Sequence, residues 1–85
     1  MKQIEIYTSP LCGYCYAAKR LLSKKGVTFT EYDVSRDPSL RTTMMQRAKG
    51  GRTVPQIFIG ETYVGGSDEL HALEHAGKLD ALLAG

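Results

Sequence analysis

Among its 85 residues the chain has no tryptophan, only two cysteines, two phenylalanines and three prolines. It has no apolar run near the roughly 18 to 20 residues that cross a bilayer, which excludes a membrane-spanning helix. Two cysteines are too few for the dense disulfide framework of small secreted scaffolds. Three prolines and nine glycines, spread without period, exclude collagen-like and low-complexity chains. The opening Met1-Lys2-Gln3-Ile4-Glu5 alternates like a strand and lacks the apolar stretch of a secretory leader, so the expected location is cytoplasmic. There a cysteine pair is redox-active or metal-binding more often than structural. Residues 1–85 offer material for one core only and are expected to form one domain.

Charge of a single sign is lacking as well. Eleven Lys and Arg stand against nine Asp and Glu, a net charge of +2. That is too mild for a nucleic-acid binder, and neither nucleic acid nor membrane is expected as a partner. Residues 1–52 hold ten basic and four acidic side chains, whereas residues 53–85 hold one basic and five acidic. Most of the basic residues fall on helical patterns and are accounted for as solvated faces. The same polarity also suits a small zwitterionic or anionic ligand lying between the two regions.

What is present is a regular alternation of elements. Gln3-Ile4-Glu5-Ile6-Tyr7 predicts a first strand, and Pro10 ends any ladder. From Gly13 to Lys25 the period becomes helical, with Cys15, Ala18 and Leu22 on one face and Leu21 beside them. Gly26 is the expected stop. Val27 to Val34 alternates as a second strand, and a helix between two strands suggests a right-handed parallel βαβ unit. Ser35-Arg36-Asp37-Pro38 supplies a helix start, Leu40, Met44 and Ala48 its buried stripe, and Gly50-Gly51 its end. Gln56–Ile59 and Thr62–Val64 predict a hairpin turning at Gly60-Glu61. Ser67 is the expected N-cap of a last helical layer, with Leu70, Leu73, Leu79, Leu82 and Leu83 inward and a break at Gly77. The order β-α-β-α-β-β-α predicts an α/β fold: a four-stranded mixed sheet with helices on both faces.

Cys12-Gly13-Tyr14-Cys15 carries the strongest chemical signal. Residues three apart on a helical turn bring their Cβ atoms to about 5–6 Å, close enough for a disulfide with little backbone movement. Cys12 falls at the start of a helix, where unpaired N–H groups and the macrodipole favour an anion, so its thiolate is expected at neutral pH. Cys15, one turn inside, is less exposed and suits a resolving role. Cys12, Cys15, His71 and His75 also have C-x2-C and H-x3-H spacings. However, 55 residues separate the pairs, against about 12 in zinc fingers, so the histidines are read as surface residues and no metal site is expected.

Three motifs in this order, Cys12-Gly13-Tyr14-Cys15, Thr53-Val54-Pro55 and Gly65-Gly66-Ser67-Asp68, resemble a bacterial glutaredoxin of the dithiol type. The resemblance runs from Ile4 to about Leu83. It implies a thioredoxin-like fold and glutathione-dependent reduction of protein disulfides and glutathione mixed disulfides. Cys12 is then the nucleophile and Cys15 the resolving thiol. Tyr14 lines the groove for the tripeptide, Thr53 belongs to the same glutathione site, and Val54 bridges the cysteinyl unit through backbone groups, which requires Pro55 to be cis. Gly66, Ser67 and Asp68 hold the γ-glutamyl end. This last role has its own physics, since helix-start N–H groups take a carboxylate and an Asp pairs with an ammonium. Arg47 is the candidate for the glycine carboxylate.

Three positions depart from the family pattern: Gly13 where many members carry Pro, Ser9 where many carry Lys, and Ser67 where some carry Cys. Without a lysine at Ser9, the thiolate and the ligand each lose one cationic neighbour. The expected partners are glutathione and disulfide-containing or glutathionylated proteins, met as a monomer. The alternative reading is a carrier in which Cys12 of two subunits and two glutathiones ligate a [2Fe–2S] cluster, the chain then being dimeric. A thioredoxin-type reductant suits the Gly65–Asp68 element and the small size less well.

Overall fold

The computed structural model describes residues 2–84. Strand β1 (Ile4–Thr8) is the second strand of a four-stranded sheet with order β2-β1-β3-β4. It pairs in parallel with β2 (Thr30–Asp33) and antiparallel with β3 (Gln56–Ile59), which in turn pairs antiparallel with β4 (Thr62–Gly65). This is the mixed sheet expected. The second strand is shorter than its alternating pattern, because only Thr30 to Asp33 lie opposite Glu5 to Thr8. Val27 and Phe29 instead drop out of the ladder and pack on the core.

The period of two along β1 assigns its side chains to two different layers. Ile4 and Ile6, with Ile57 and Ile59 of β3, meet Ala18, Leu21 and Leu22 of helix α1 (Gly13–Lys24), Leu70 of α3 (Ser67–His75), and Leu79 and Leu83 of α4 (Leu79–Ala84). Tyr7 and Phe58 point the other way and meet Met44 of α2 (Pro38–Arg47) together with Ala48 and Val34. Each fully buried aliphatic side chain contributes about 1.5–3 kcal/mol. Helices therefore cover both faces, as expected.

The helix ends show where local sequence was overridden. Asp37 caps α2 through the Ser39 N–H at 2.9 Å, with Pro38 at the first position. The helix ends at Arg47, before Gly50-Gly51. Lys49 itself takes the left-handed conformation (φ 55°), and the Gly50 N–H donates to the Met45 carbonyl at 2.8 Å, the long bond of a Schellman turn. The break at Gly77 (φ 72°) matches expectation, and the Lys78 N–H closes the same kind of turn on the Leu73 carbonyl.

The start of α3 is corrected by one residue. Gly66, not Ser67, is the N-cap, and Ser67 is the first helical residue, with its hydroxyl 3.3 Å from His71 Nδ1. The Gly66 N–H donates to Glu69 Oε1 at 2.7 Å, so the cap comes from the third helical residue reaching back. Gly65 makes room for this arrangement. Its φ is +112°, and a Cβ there would stand 2.9 Å from Glu69 Oε1.

Candidate functional site: a disulfide at a helix start between two clefts

The chain leaves β1 at Thr8 and reaches α1 through Ser9-Pro10-Leu11-Cys12. Leu11 is fully exposed and held at φ 60°, a left-handed conformation costly for a leucine. Cys12 follows as the N-cap of α1. Its Sγ accepts the Cys15 N–H at 3.1 Å, and its carbonyl accepts the Tyr16 N–H. A sulfur so placed occupies the position in which Ser or Asp oxygens commonly satisfy a helix start. Cys12 and Cys15 are joined as a disulfide, with Cα atoms 5.2 Å apart. Cys12 is half-buried, whereas Cys15 is 2% exposed beneath it.

Cys12 Sγ lies 3.8 Å from the Val54 carbonyl oxygen. The Val54–Pro55 peptide is cis. Beyond Val54 opens a cleft of about 320 Å³ lined by Tyr14, Thr53, Val54, Pro55, Gly66, Ser67 and Asp68 together with Glu69. Seven residues singled out from the sequence thus come together from α1, the loop before β3 and the start of α3. Tyr14 is 68% exposed and forms an open wall. Ser67 is buried and Asp68 exposed, so at the helix start the carboxylate is the group that faces solvent.

Arg47 is the expected site residue that the structure places elsewhere. Its guanidinium donates to both carboxylate oxygens of Glu5, at 2.9 and 3.2 Å, and to the Tyr7 hydroxyl at 3.0 Å. It also lies 4.1 Å from the Phe58 ring centroid. The cause is the alternation of β1, which sends Glu5 to the α2 face with Tyr7, where an acid with little access to water needs a cation. The Arg47 guanidinium foremost, then the Tyr32 hydroxyl, hold the Glu5 carboxyl below the usual carboxylate range against the opposing effect of burial.

A second cleft, of about 470 Å³, lies against the same disulfide and is lined by Cys12, Cys15, Tyr16, Lys19 and Glu31 among others. Lys19 Nζ is 2.9 Å from Glu31 Oε2, and the Thr8 hydroxyl donates to that oxygen at 2.7 Å. The Lys19 ammonium first, and then the Thr8 hydroxyl, hold the Glu31 carboxyl below its ordinary range. The sequence reading missed this group. Lys19 could have been found, since it follows Cys15 by one helical turn. Glu31 carries no local signal, being 16 residues away in sequence and adjacent only through the β1–β2 pairing.

A cysteine pair three residues apart at the start of the first helix of this α/β sheet, beside a cis-proline loop, defines a thiol–disulfide oxidoreductase of the thioredoxin-like fold. Comparison with known proteins places it more narrowly. Residues 4–64 match the family model for glutaredoxin. The chain is 56% identical over 84 residues to a glutaredoxin of Pseudomonas aeruginosa, covering 99% of each. A solved structure described as metal binding of glutaredoxins is 55% identical, with a TM-score of 0.74 over 98% of this chain and 89% of the other. The crystal structure of a buckwheat glutaredoxin–glutathione complex is 27% identical, with a TM-score of 0.88 over 98% of this chain and 77% of the other. The chain belongs to the glutaredoxin family, with a redox-active disulfide at Cys12–Cys15.

Proposed function

We propose that this glutaredoxin reduces glutathione mixed disulfides and protein disulfides with glutathione as co-substrate, acting as a cytoplasmic monomer. The observation that carries the reading is the position of Cys12 Sγ, at a helix start and 3.8 Å from the Val54 carbonyl at the lip of the Tyr14 cleft. In the reduced protein the Cys12 thiolate is stabilised by the helix terminus and by the Cys15 N–H. It attacks the glutathione sulfur of a mixed disulfide, the substrate leaves as a thiol, and a second glutathione regenerates Cys12. With a protein disulfide, Cys12 forms the mixed disulfide and Cys15 displaces the substrate, leaving the intramolecular bond for glutathione to reduce. Glutathione bound in the Tyr14 cleft would meet Val54 with its cysteinyl backbone and the Gly66-Ser67-Asp68 helix start with its γ-glutamyl end. The buckwheat relative, solved with glutathione, supports this ligand. With Arg47 bound to Glu5, the cations beside Thr53 are Arg52 and Arg41, the latter donating to the Arg52 carbonyl at 3.0 Å. We assign the glycine carboxylate to them.

Asp68→Ala tests the ligand. Removing one charge-assisted hydrogen bond costs about 1.5–3 kcal/mol, a rise in the KM for glutathione of roughly ten- to a hundredfold. Folding should be unaffected, because Gly66 and Glu69 make the cap. An unchanged KM rejects Asp68 as a glutathione contact.

A second reading, a glutathione-ligated [2Fe–2S] carrier, is favoured by Gly13. A Cβ at this position would find nothing within 4 Å, so the loop beside Cys12 is open to a second subunit. Such clusters take four thiolates. Among the described residues no three His, Cys, Asp or Glu converge on a metal site, and Cys15 is 2% exposed, so Cys12 is the protein ligand each chain would offer. The remainder would come from a second copy and two glutathiones. Anaerobic reconstitution with iron, sulfide and glutathione should give a coloured dimer that Gly13→Pro forms in lower yield. A colourless monomer under those conditions removes this reading.

A further inference from the structure

The cleft beside Lys19 bears on the less accessible cysteine. Cys15 is 2% exposed, and burial disfavours a thiolate. Yet resolving a mixed disulfide requires that thiolate. Cys15 Sγ attacks Cys12 Sγ, and the Cys12–substrate S–S bond breaks as the Cys12–Cys15 bond forms. The substrate sulfur leaves with the bonding pair and takes a proton from water. The Cys15 proton must already have passed to water, and the cleft supplies the way out.

Lys19 lies one helical turn beyond Cys15, on the same face, with Cβ atoms about 5–6 Å apart. Cys12 borders the same cleft, but its thiolate already has the helix start and the Cys15 N–H at 3.1 Å to stabilise it, whereas buried Cys15 has neither. The ammonium is anchored rather than free to swing. Glu31 Oε2 holds it at 2.9 Å, and the same oxygen takes the hydroxyl of Thr8, which is 2% exposed. The other charged group of the cleft, Asp33, is turned to Ser35 N–H and hydroxyl at 2.9 and 2.6 Å, with Arg36 at 3.6 Å. Tyr16 adds a phenol to the same wall. On α3, His71 and Glu74 line a separate groove with Arg20 and Lys24. Lys19 is therefore the cation positioned to act on Cys15.

We propose that Lys19, anchored by Glu31 and Thr8, is a positioning residue that stabilises the Cys15 thiolate and so sets the rate of the resolving step. This rests on the resolving role assigned to Cys15 above. It separates the two reactions of the enzyme, since a mixed disulfide with glutathione needs Cys12 alone.

The test uses Cys12→Ser protein, in which Cys15 is the only thiol and its thiolate can be followed by ultraviolet absorbance against pH. Adding Lys19→Met should lower the thiolate fraction at neutral pH about tenfold, the effect of losing one nearby opposite charge. Lys19→Arg should restore it. In the dithiol protein, Lys19→Met should slow protein-disulfide reduction about three- to fourfold, because the more basic thiolate recovers part of the loss in nucleophilicity. Reduction of a glutathione mixed disulfide should slow less, because the Cys12 thiolate keeps the helix start and the Cys15 N–H. An unchanged Cys15 titration overturns the proposal, as does equal slowing of both reactions. Failure of the underlying dithiol reading would show separately, as Cys15→Ser protein that still reduces protein disulfides whatever Lys19 does to Cys15.

Discussion

Cys12→Ser protein should reduce neither protein disulfides nor glutathione mixed disulfides. A serine hydroxyl is un-ionised at neutral pH and forms no exchangeable bond with sulfur, so both reactions lose their first step. The fold should persist, because serine also accepts a hydrogen bond as an N-cap, here from the Cys15 N–H. Cys15→Ser should behave differently. It should keep reduction of glutathione mixed disulfides, in which a second glutathione attacks at Cys12, and lose reduction of protein disulfides, in which the buried thiol must displace the substrate. Steady-state assays with a glutathionylated peptide and with a protein disulfide separate the two. Equal loss of both activities in Cys15→Ser would refute the assigned roles, and residual exchange in Cys12→Ser would move the nucleophile elsewhere.

Arg47→Met should lower the stability of the protein by about 2 kcal/mol at neutral pH. Complete burial of a broken ion pair costs 3–5 kcal/mol and an exposed one close to nothing. Here the side chains are 15% exposed for Glu5 and 32% for Arg47. For a domain of this size, the expected loss corresponds to a melting temperature lower by roughly 8–16 °C. Methionine keeps an apolar stem against Phe58 but leaves Glu5 dependent on the Tyr32 hydroxyl and the Tyr7 hydroxyl without the guanidinium. The pH dependence follows from the direction of the Glu5 shift. Its folded-state value is held below the ordinary 4.5, so the stabilisation is full above that value and is lost as pH falls through the depressed one. Wild type and variant should therefore converge in acid, and Glu5→Gln added to Arg47→Met should recover much of the deficit. Equal stabilities at neutral pH, or a gap unchanged in acid, would refute the account. The KM for glutathione should not move; a rise would return Arg47 to the ligand site.

The glutathione reading and the Lys19 inference meet at Cys12. One cleft touches it through the Val54 carbonyl and the other through Cys15 and Lys19. The first bears on which ligand is held, the second on how fast the held substrate is displaced. Variants in the first cleft should therefore move the KM for glutathione, and variants in the second the rate of displacement.

Short-range pattern alone determined the order of elements, the helix carrying the cysteine pair, the helix start within Ser35-Arg36-Asp37-Pro38, the break at Gly77 and the inward stripe of Ala18, Leu22, Met44 and Leu70. Each of these rests on contacts within about one turn or on a side-chain period that the backbone imposes. The motifs around Cys12 and Asp68 were legible because each marks a local backbone event, a helix start and a glycine-bounded turn, whereas the cis form of Pro55 was implied by the family resemblance alone. Tertiary structure decided what lies across the sheet. Val27 and Phe29 leave the second strand because β1 offers ladder partners only from Glu5 onward. Ser67 yields the cap to Gly66 because Glu69 reaches back to the Gly66 N–H. Arg47, seven residues before Val54 in sequence, turns from the cleft because β1 directs Glu5 to the α2 face, and a half-buried carboxylate outcompetes solvent for the nearest guanidinium. Glu31 reaches Lys19 only through the parallel pairing of β1 with β2. Charges find partners through space, and the distances that decide between partners are set by a sheet whose strands are far apart in sequence.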